Sequence, residues 1–273
     1  MTYHNPDLEF ETLVAQIGKR CHSDLGKEQA SLLQPLSDLG EIIKSQKLVA
    51  EIQEQLLRGR DYDFSGLTNL EPLFEDSRNT LFAFEEFSAV YANNLIAEEI
   101  LAQLKLWEEF PEITLYLKKL TSFSFLNSRF LEIFDKDGEI LDTASKELAT
   151  IRKRANSLRM QIQKTMQALL SDSSLEHYLQ DKYVTQREDR YVLPVKENAV
   201  PFVNGIVQSH SGSKSTVFIE PMSVVPLNNE LQLIFQQEKQ EIYRIFSAYT
   251  SAIKAEKKGL LRNQKILAWL DFR

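Results

Sequence analysis

From Leu148 to Leu169 the chain has neither glycine nor proline, and its apolar or small residues fall alternately three and four apart, at Leu148, Ile151, Ala155, Leu158, Ile162, Thr165 and Leu169. That spacing is the seam of a coiled coil. A helix of about 28 residues carrying it spans roughly 40 Å at about 1.5 Å per residue. A stripe of two positions in seven is too narrow to be buried alone, so it demands an antiparallel mate. Residues 227–258 offer one, with Leu227, Leu231, Ile234, Ile242, Ile245, Tyr249 and Ile253 as the facing stripe and Gly259 as a stop. Between the two stripes lies the only β-rich part of the chain, 181–225, whose runs "RYVLPVK", "FVNGIVQS" and "STVFIEP" read as strands. The expectation is a helical body, an arm going out, a small sheet at its tip and an arm coming back.

The body is read from helical periodicity. Apolar residues recur at helical spacing from Leu8 through Val14, Ile17 and Cys21, and again from Leu39 to Leu56, with Ser23 and Ser37 placed as N-caps. Gly59, Gly66 and Pro72 interrupt the pattern as a connector. A further stripe, Leu81, Phe84, Phe87, Tyr91, Leu95, Leu101 and Leu104, predicts a long helix closed by Pro111, with a shorter one from Leu115 to Leu120. "DKDG" at 135–138 marks the turn before the arm.

Composition excludes several classes. With 43% hydrophobic residues and only 9 Gly and 8 Pro, the chain is a folded, helix-rich protein. No apolar run approaches the roughly 18 residues of a membrane span, and "MTYHNPDLEFE" lacks the basic-then-apolar order of a signal peptide. A lone cysteine, Cys21, staples nothing and reads as a small buried hydrophobe, so no membrane partner and a cytoplasmic location are expected. The net charge of −7 argues against a general nucleic-acid binder, yet 146–164 carries Lys146, Arg152, Lys153, Arg154, Arg159 and Lys164 against Glu147 alone. That local basic stripe is able to meet phosphate; its other reading is a solvated helix face.

Catalytic constellations are missing from the pattern. "SHSGSKS" is not a phosphate-cradling loop, because Ser213 separates Gly212 from Lys214 and a strand follows where a helix is required. It reads as a hairpin tip. His4, His22, His177 and His210 have no metal spacing, and pairs such as Glu85/Glu86 and Glu98/Glu99 read as solvated faces. Tyr191 and Phe218 read as sheet residues before base-stacking platforms. Lys214, Arg190, Lys196, Arg187 and His210 are the candidates for phosphate contact. Glu188, Asp189, Glu197 and Glu220 accompany them, so the grip is expected to be weak and selective for geometry. Reversing the charge at Lys214, alone or together with Arg190, is expected to leave folding untouched.

The runs "RYVLPVK" (190–196), "GIVQSHSGSKSTVFIEP" (205–221) and "LNNEL" (227–231), in that order, resemble the clamp of the MutS family, and in particular its bacterial MutS-two subfamily. "GEILDTASKELATIRK" (138–153) resembles that subfamily's entry into its lever helix, and 8–39 resembles its start. Lys214, Ser215 and Thr216 depart from the Gly-Ala-Thr usual before "FIEP". The resemblance implies a mainly α fold: a multi-helical core (1–141), an outgoing lever helix (142–181), a small antiparallel β-rich clamp (182–226), a returning lever helix (227–258) forming a long antiparallel coiled coil with the first, and the start of a returning core (259–273). It implies a non-catalytic segment of a longer protein, one that elsewhere binds ATP and Mg, works as a homodimer and often carries a C-terminal Smr endonuclease domain. The implied partners are branched or mismatched DNA, or ribosomal RNA on collided ribosomes. Two rival readings remain, a coiled-coil scaffold for protein contacts and an autonomous enzyme.

Overall fold

The computed structural model describes residues 9–59, 61–75, 81–212 and 215–273; Leu8 and Lys214 lie outside them. Within them the chain is mostly helical, with one small four-stranded antiparallel sheet. By packing it divides into two units, Met1–Ile140 with Phe246–Arg273, and Leu141–Ile245.

The first unit contains α1 (Phe10–Gly18), α2 (Asp24–Ser31), α3 (Leu39–Leu57), α4 (Glu71–Glu75), α5 (Phe84–Ala102), α6 (Pro111–Leu117) and α7 (Ser124–Ile133). Ser23 caps α2 by accepting the Gly26 N–H at 3.0 Å. The cap of α3 is Asp38, which accepts the Glu41 N–H at 2.9 Å, and not the expected Ser37. Both types satisfy an orphan N–H, and Asp38 is the one adjacent to the first helical residue. Pro111 likewise opens α6 where it was expected to close the preceding helix: at the first helical position its missing N–H costs nothing. At "DKDG" the Asp135 carboxylate accepts the N–H groups of Asp137 and Glu139, and Gly138 supplies the left-handed φ of +84°.

The second unit contains α8 (Lys146–Leu170), α9 (Ser173–Glu176), β1 (Thr185–Arg187), β2 (Arg190–Lys196), β3 (Gly205–His210), β4 (Thr216–Pro221) and the part of α10 (Val225–Ala255) up to Ile245. Ser145 caps α8, accepting the Leu148 N–H at 2.9 Å. The buried stripe of α8 is Leu148, Ile151, Ala155, Leu158, Ile162, Met166 and Leu170, so it leaves the predicted seam after Ile162. There it steps by four and buries Met166 and Leu170 in place of Thr165 and Leu169, keeping an apolar thioether inside and a hydroxyl outside. α10 runs antiparallel to α8, since partners descend as numbers rise: Ser145 with Glu241, Arg152 with Glu238, and Arg159 over the ring of Phe235. Leu231 and Ile234 join the α8 stripe in one core with Leu193, Val195, Val217 and Ile219 of the sheet.

The sheet order is β1-β2-β4-β3, every pair antiparallel. β3 and β4 form the expected hairpin, although "FVNGIVQS" is a strand only from Gly205, because Glu197–Phe202 coils into a 3₁₀ segment. Gly205 has no room for a side chain, since a Cβ there would collide with Ile219 and the Glu220 carbonyl. Glu188 and Asp189 join β1 to β2 with φ of 49° and 60°, the left-handed pair that a two-residue hairpin turn requires.

α10 from Phe246 onward, and α11 (Lys257–Phe272), return to the first unit. Gly259 does not stop the returning helix. The break falls at Glu256, and Gly259 sits inside α11 against Phe123, where a Cβ would lie 2.5 Å from the ring. Phe87 is fully buried and meets Phe82, Phe134, Phe246 and Tyr249 with ring centroids 4.7 to 6.0 Å away. Tyr249 donates its hydroxyl to the Leu126 carbonyl at 3.0 Å, and burial pushes its phenol pKa upward. Asp271, from α11, accepts the N–H groups of His22 and Ser23 at 2.8 Å and the Ser23 hydroxyl at 2.6 Å. Among the described residues no helix is long and apolar enough to cross a membrane.

Candidate nucleic-acid interface

Strand register decides which candidate side chains meet. Lys196, the last residue of β2, pairs with Thr216, and His210, the last of β3, pairs with Val217. β4 lies between those strands, so Lys196 and His210 flank its first two residues. Lys214 lies two residues before Thr216 in the chain, outside the described residues. Lys196 and His210 are both exposed, and Lys196 donates from Nζ to the His177 carbonyl at 3.0 Å.

Arg187 and Arg190 belong to the opposite end. They pair with each other across the β1–β2 turn, about 20 Å from Lys196 at roughly 3.3 Å per strand residue. Among the described candidates, Arg187 and Arg190 therefore do not share the sheet end of Lys196 and His210. The Arg187 guanidinium carbon lies over the Phe218 ring, 4.0 Å from its centroid, and Arg187 donates to the Gln186 carbonyl at 2.8 Å.

Arg190, only partly exposed, is engaged within the unit. Its guanidinium donates to both oxygens of Glu220, at 2.8 and 3.1 Å, and to Asn229 Oδ1 at 2.8 Å. The Glu220 side chain is fully buried and also accepts from Gln208 Nε2 at 2.6 Å and Asn228 Nδ2 at 2.9 Å. Asn228 in turn bonds both backbone groups of Tyr191, accepting its N–H at 3.2 Å and donating to its carbonyl at 3.1 Å. The Glu of "FIEP", the first Asn of "LNNEL" and the Arg of "RYVLPVK" thus form one buried polar network that locks the sheet to α10. Reversing Arg190 would set two carboxylates against each other in it, so the expectation of untouched folding is corrected there. Sequence reasoning missed the network because each member reads as an ordinary polar residue until register and helix placement bring them together.

The basic stripe also divides. Arg152 holds Asp142 and Glu238 at 2.7 and 2.8 Å, Arg154 holds Glu230 at 2.5 Å, and Arg159 covers Phe235. Glu241 binds Arg244 through both oxygens, at 2.6 and 2.7 Å; these bonds, with the one from Ser145, hold its carboxyl below the usual range. Lys146, Lys153 and Lys164 stay exposed. Among the described residues, no three or more His, Cys, Asp or Glu side chains group as metal ligands would.

No family model matches the chain. It is similar to the endonuclease MutS2 of Geobacillus sp. (strain WCH70), at 32% identity over 271 residues, and to that of Bacillus velezensis, at 33% over 274 residues. The putative endonuclease MutS2 of Bacillus subtilis is 31% identical over 271 residues. Each alignment takes in 97% of this chain and 34% of the relative, so the chain spans about a third of the length of the curated relatives it matches.

Proposed function

This chain is MutS2-like over nearly its whole length, and from that premise we propose that its Leu141–Ile245 unit is a nucleic-acid clamp arm, in which α8 and α10 form a coiled-coil lever and the four-stranded sheet is the clamp. The observation that carries the reading is the register that brings Lys196 and His210 to one end of the sheet. A lysine and a histidine exposed at one sheet end, with Glu197 exposed beside them, suit weak contact with phosphates that position a backbone without reading its bases. Its substrate is the backbone of branched or mismatched DNA, or of ribosomal RNA on collided ribosomes. In this reading the arm itself is non-catalytic and acts in the cytoplasm. ATP, Mg²⁺, homodimeric closure and nuclease chemistry belong to the longer protein.

The test is charge reversal at that end. Lys214→Glu and Lys196→Glu should each weaken binding of a DNA four-way junction, or of a structured RNA, about equally across sequences. Each should also lower the slope of log affinity against log salt by about 0.7 to 0.9. Unchanged affinity and slope in both variants would remove the sheet end from the interface. Absence of wild-type binding at low salt would favour the scaffold reading, in which the arm docks on protein.

A further inference from the structure

We propose a second contact surface on the same unit: a row of three lysines on the outer face of α8, Lys146, Lys153 and Lys164, that lies along the phosphate backbone of a double-stranded nucleic acid. The inference rests on the clamp-arm reading and adds a place and a partner geometry to it.

The three residues are seven and eleven apart, close to two and three whole turns at about 3.6 residues per turn, so they stand in one line. Ala155 and Ile162, in the middle of the buried stripe, lie about half a turn around the helix, which makes the lysine row the face opposite the core. All three are exposed, and among the described residues none has a carboxylate partner. Acids that could neutralise the row are engaged elsewhere. Glu230, Glu238 and Glu241 of α10 hold Arg154, Arg152 and Arg244, and Asp142 holds Arg152. Glu147, the only acid on α8, points about 100° away from the row. The arginines of the stripe thus bind the two helices together, and the lysines remain as an uncompensated line of charge.

That line fits a duplex better than a single strand. From Lys146 to Lys164 it extends about 27 Å at about 1.5 Å per residue, slightly less than one duplex turn of about 34 Å. Lysine contacts phosphate as a flexible point charge and needs no bidentate geometry. A straight row with no aromatic side chain on it provides nothing for unpaired bases to stack on; its one large apolar neighbour is Met160.

The test compares the 273-residue chain with the triple variant Lys146→Gln/Lys153→Gln/Lys164→Gln and with a charge-matched control, Lys19→Gln/Lys44→Gln/Lys105→Gln, exposed lysines of the other unit. Binding to a plain DNA duplex, a plain RNA duplex and a single strand is followed across a salt series, with circular dichroism verifying the fold. The row variant should weaken duplex binding at least about tenfold at low salt and lower the salt slope by about 2 to 3, so that the loss between 50 and 200 mM salt shrinks by about 16- to 64-fold. The control should keep the wild-type slope. A DNA-only or RNA-only response identifies which duplex the row serves and supports it equally. The inference is overturned if the row variant keeps the wild-type slope, if the control loses as much, or if only single strands bind. Row-variant binding like that of wild type, with Lys214→Glu and Lys196→Glu still weakened, would overturn the row and leave the clamp reading standing; absence of wild-type binding to any nucleic acid would overturn both.

Discussion

Replacing Arg190 with methionine should destabilise the Leu141–Ile245 unit by about 3 to 5 kcal/mol, the usual cost of leaving one member of a buried ion pair without its partner. Glu220 is fully buried, and among the described residues Arg190 is the cation that pairs with it. Deleting the guanidinium strands that carboxylate with two amides, Gln208 and Asn228, which satisfy its hydrogen bonds without neutralising its charge. Hydrogen exchange is the appropriate readout, because the two packing units need not unfold together. Protection should collapse in β2 and β4, while Lys196→Met changes it by less than about 0.5 kcal/mol. The double variant Arg190→Met/Glu220→Met should recover most of the loss, since an apolar pair of similar volume carries no desolvation cost. Wild-type protection in Arg190→Met would show that the network does not hold the sheet to α10.

A loss of similar size is expected in the other unit from Phe87→Ala. Phe87 is fully buried, with Phe82, Phe134, Phe246 and Tyr249 around it. Truncation removes the transfer free energy of the ring and leaves a cavity that four rigid aromatic neighbours fill poorly, which together costs about 3 to 5 kcal/mol. Protection of α5 and α7 should fall accordingly. Leu115→Ala, at a half-exposed position of α6, serves as the control and should change stability by less than about 1 kcal/mol. A Phe87→Ala loss no larger than that of Leu115→Ala would contradict the aromatic core as described.

Local rules of helix chemistry made much of the fold legible. The stripe from Leu148 to Ile162, the Ser23 cap and the β3–β4 hairpin all follow from spacing and residue type over a few positions. Failures came where two local rules point to the same residue. Pro111 satisfies both a helix end and a helix start, and Gly259 both a stop and a close approach; only the placement of Phe123 decides the second. The candidate site was legible as a list of cations but not as a surface. Register put Lys196 and His210 together and left Arg187 and Arg190 at the far end, information held in which strands pair and in what register rather than in any one run of residues. Glu220 was visible in "FIEP" as a neighbouring acid, but burial turned it from a competitor for phosphate into the anchor of the sheet.

The claim that the Leu141–Ile245 unit grips a nucleic-acid backbone is tested most directly by hydrogen exchange on the unmodified chain at low salt, with and without a DNA four-way junction and a structured RNA. Protection on binding should fall within 141–245, at the ends of β2 and β3 and along the outer face of α8, and should fade as salt rises. Protection confined to 9–140 and 246–273, or none with either nucleic acid at any salt, would contradict it.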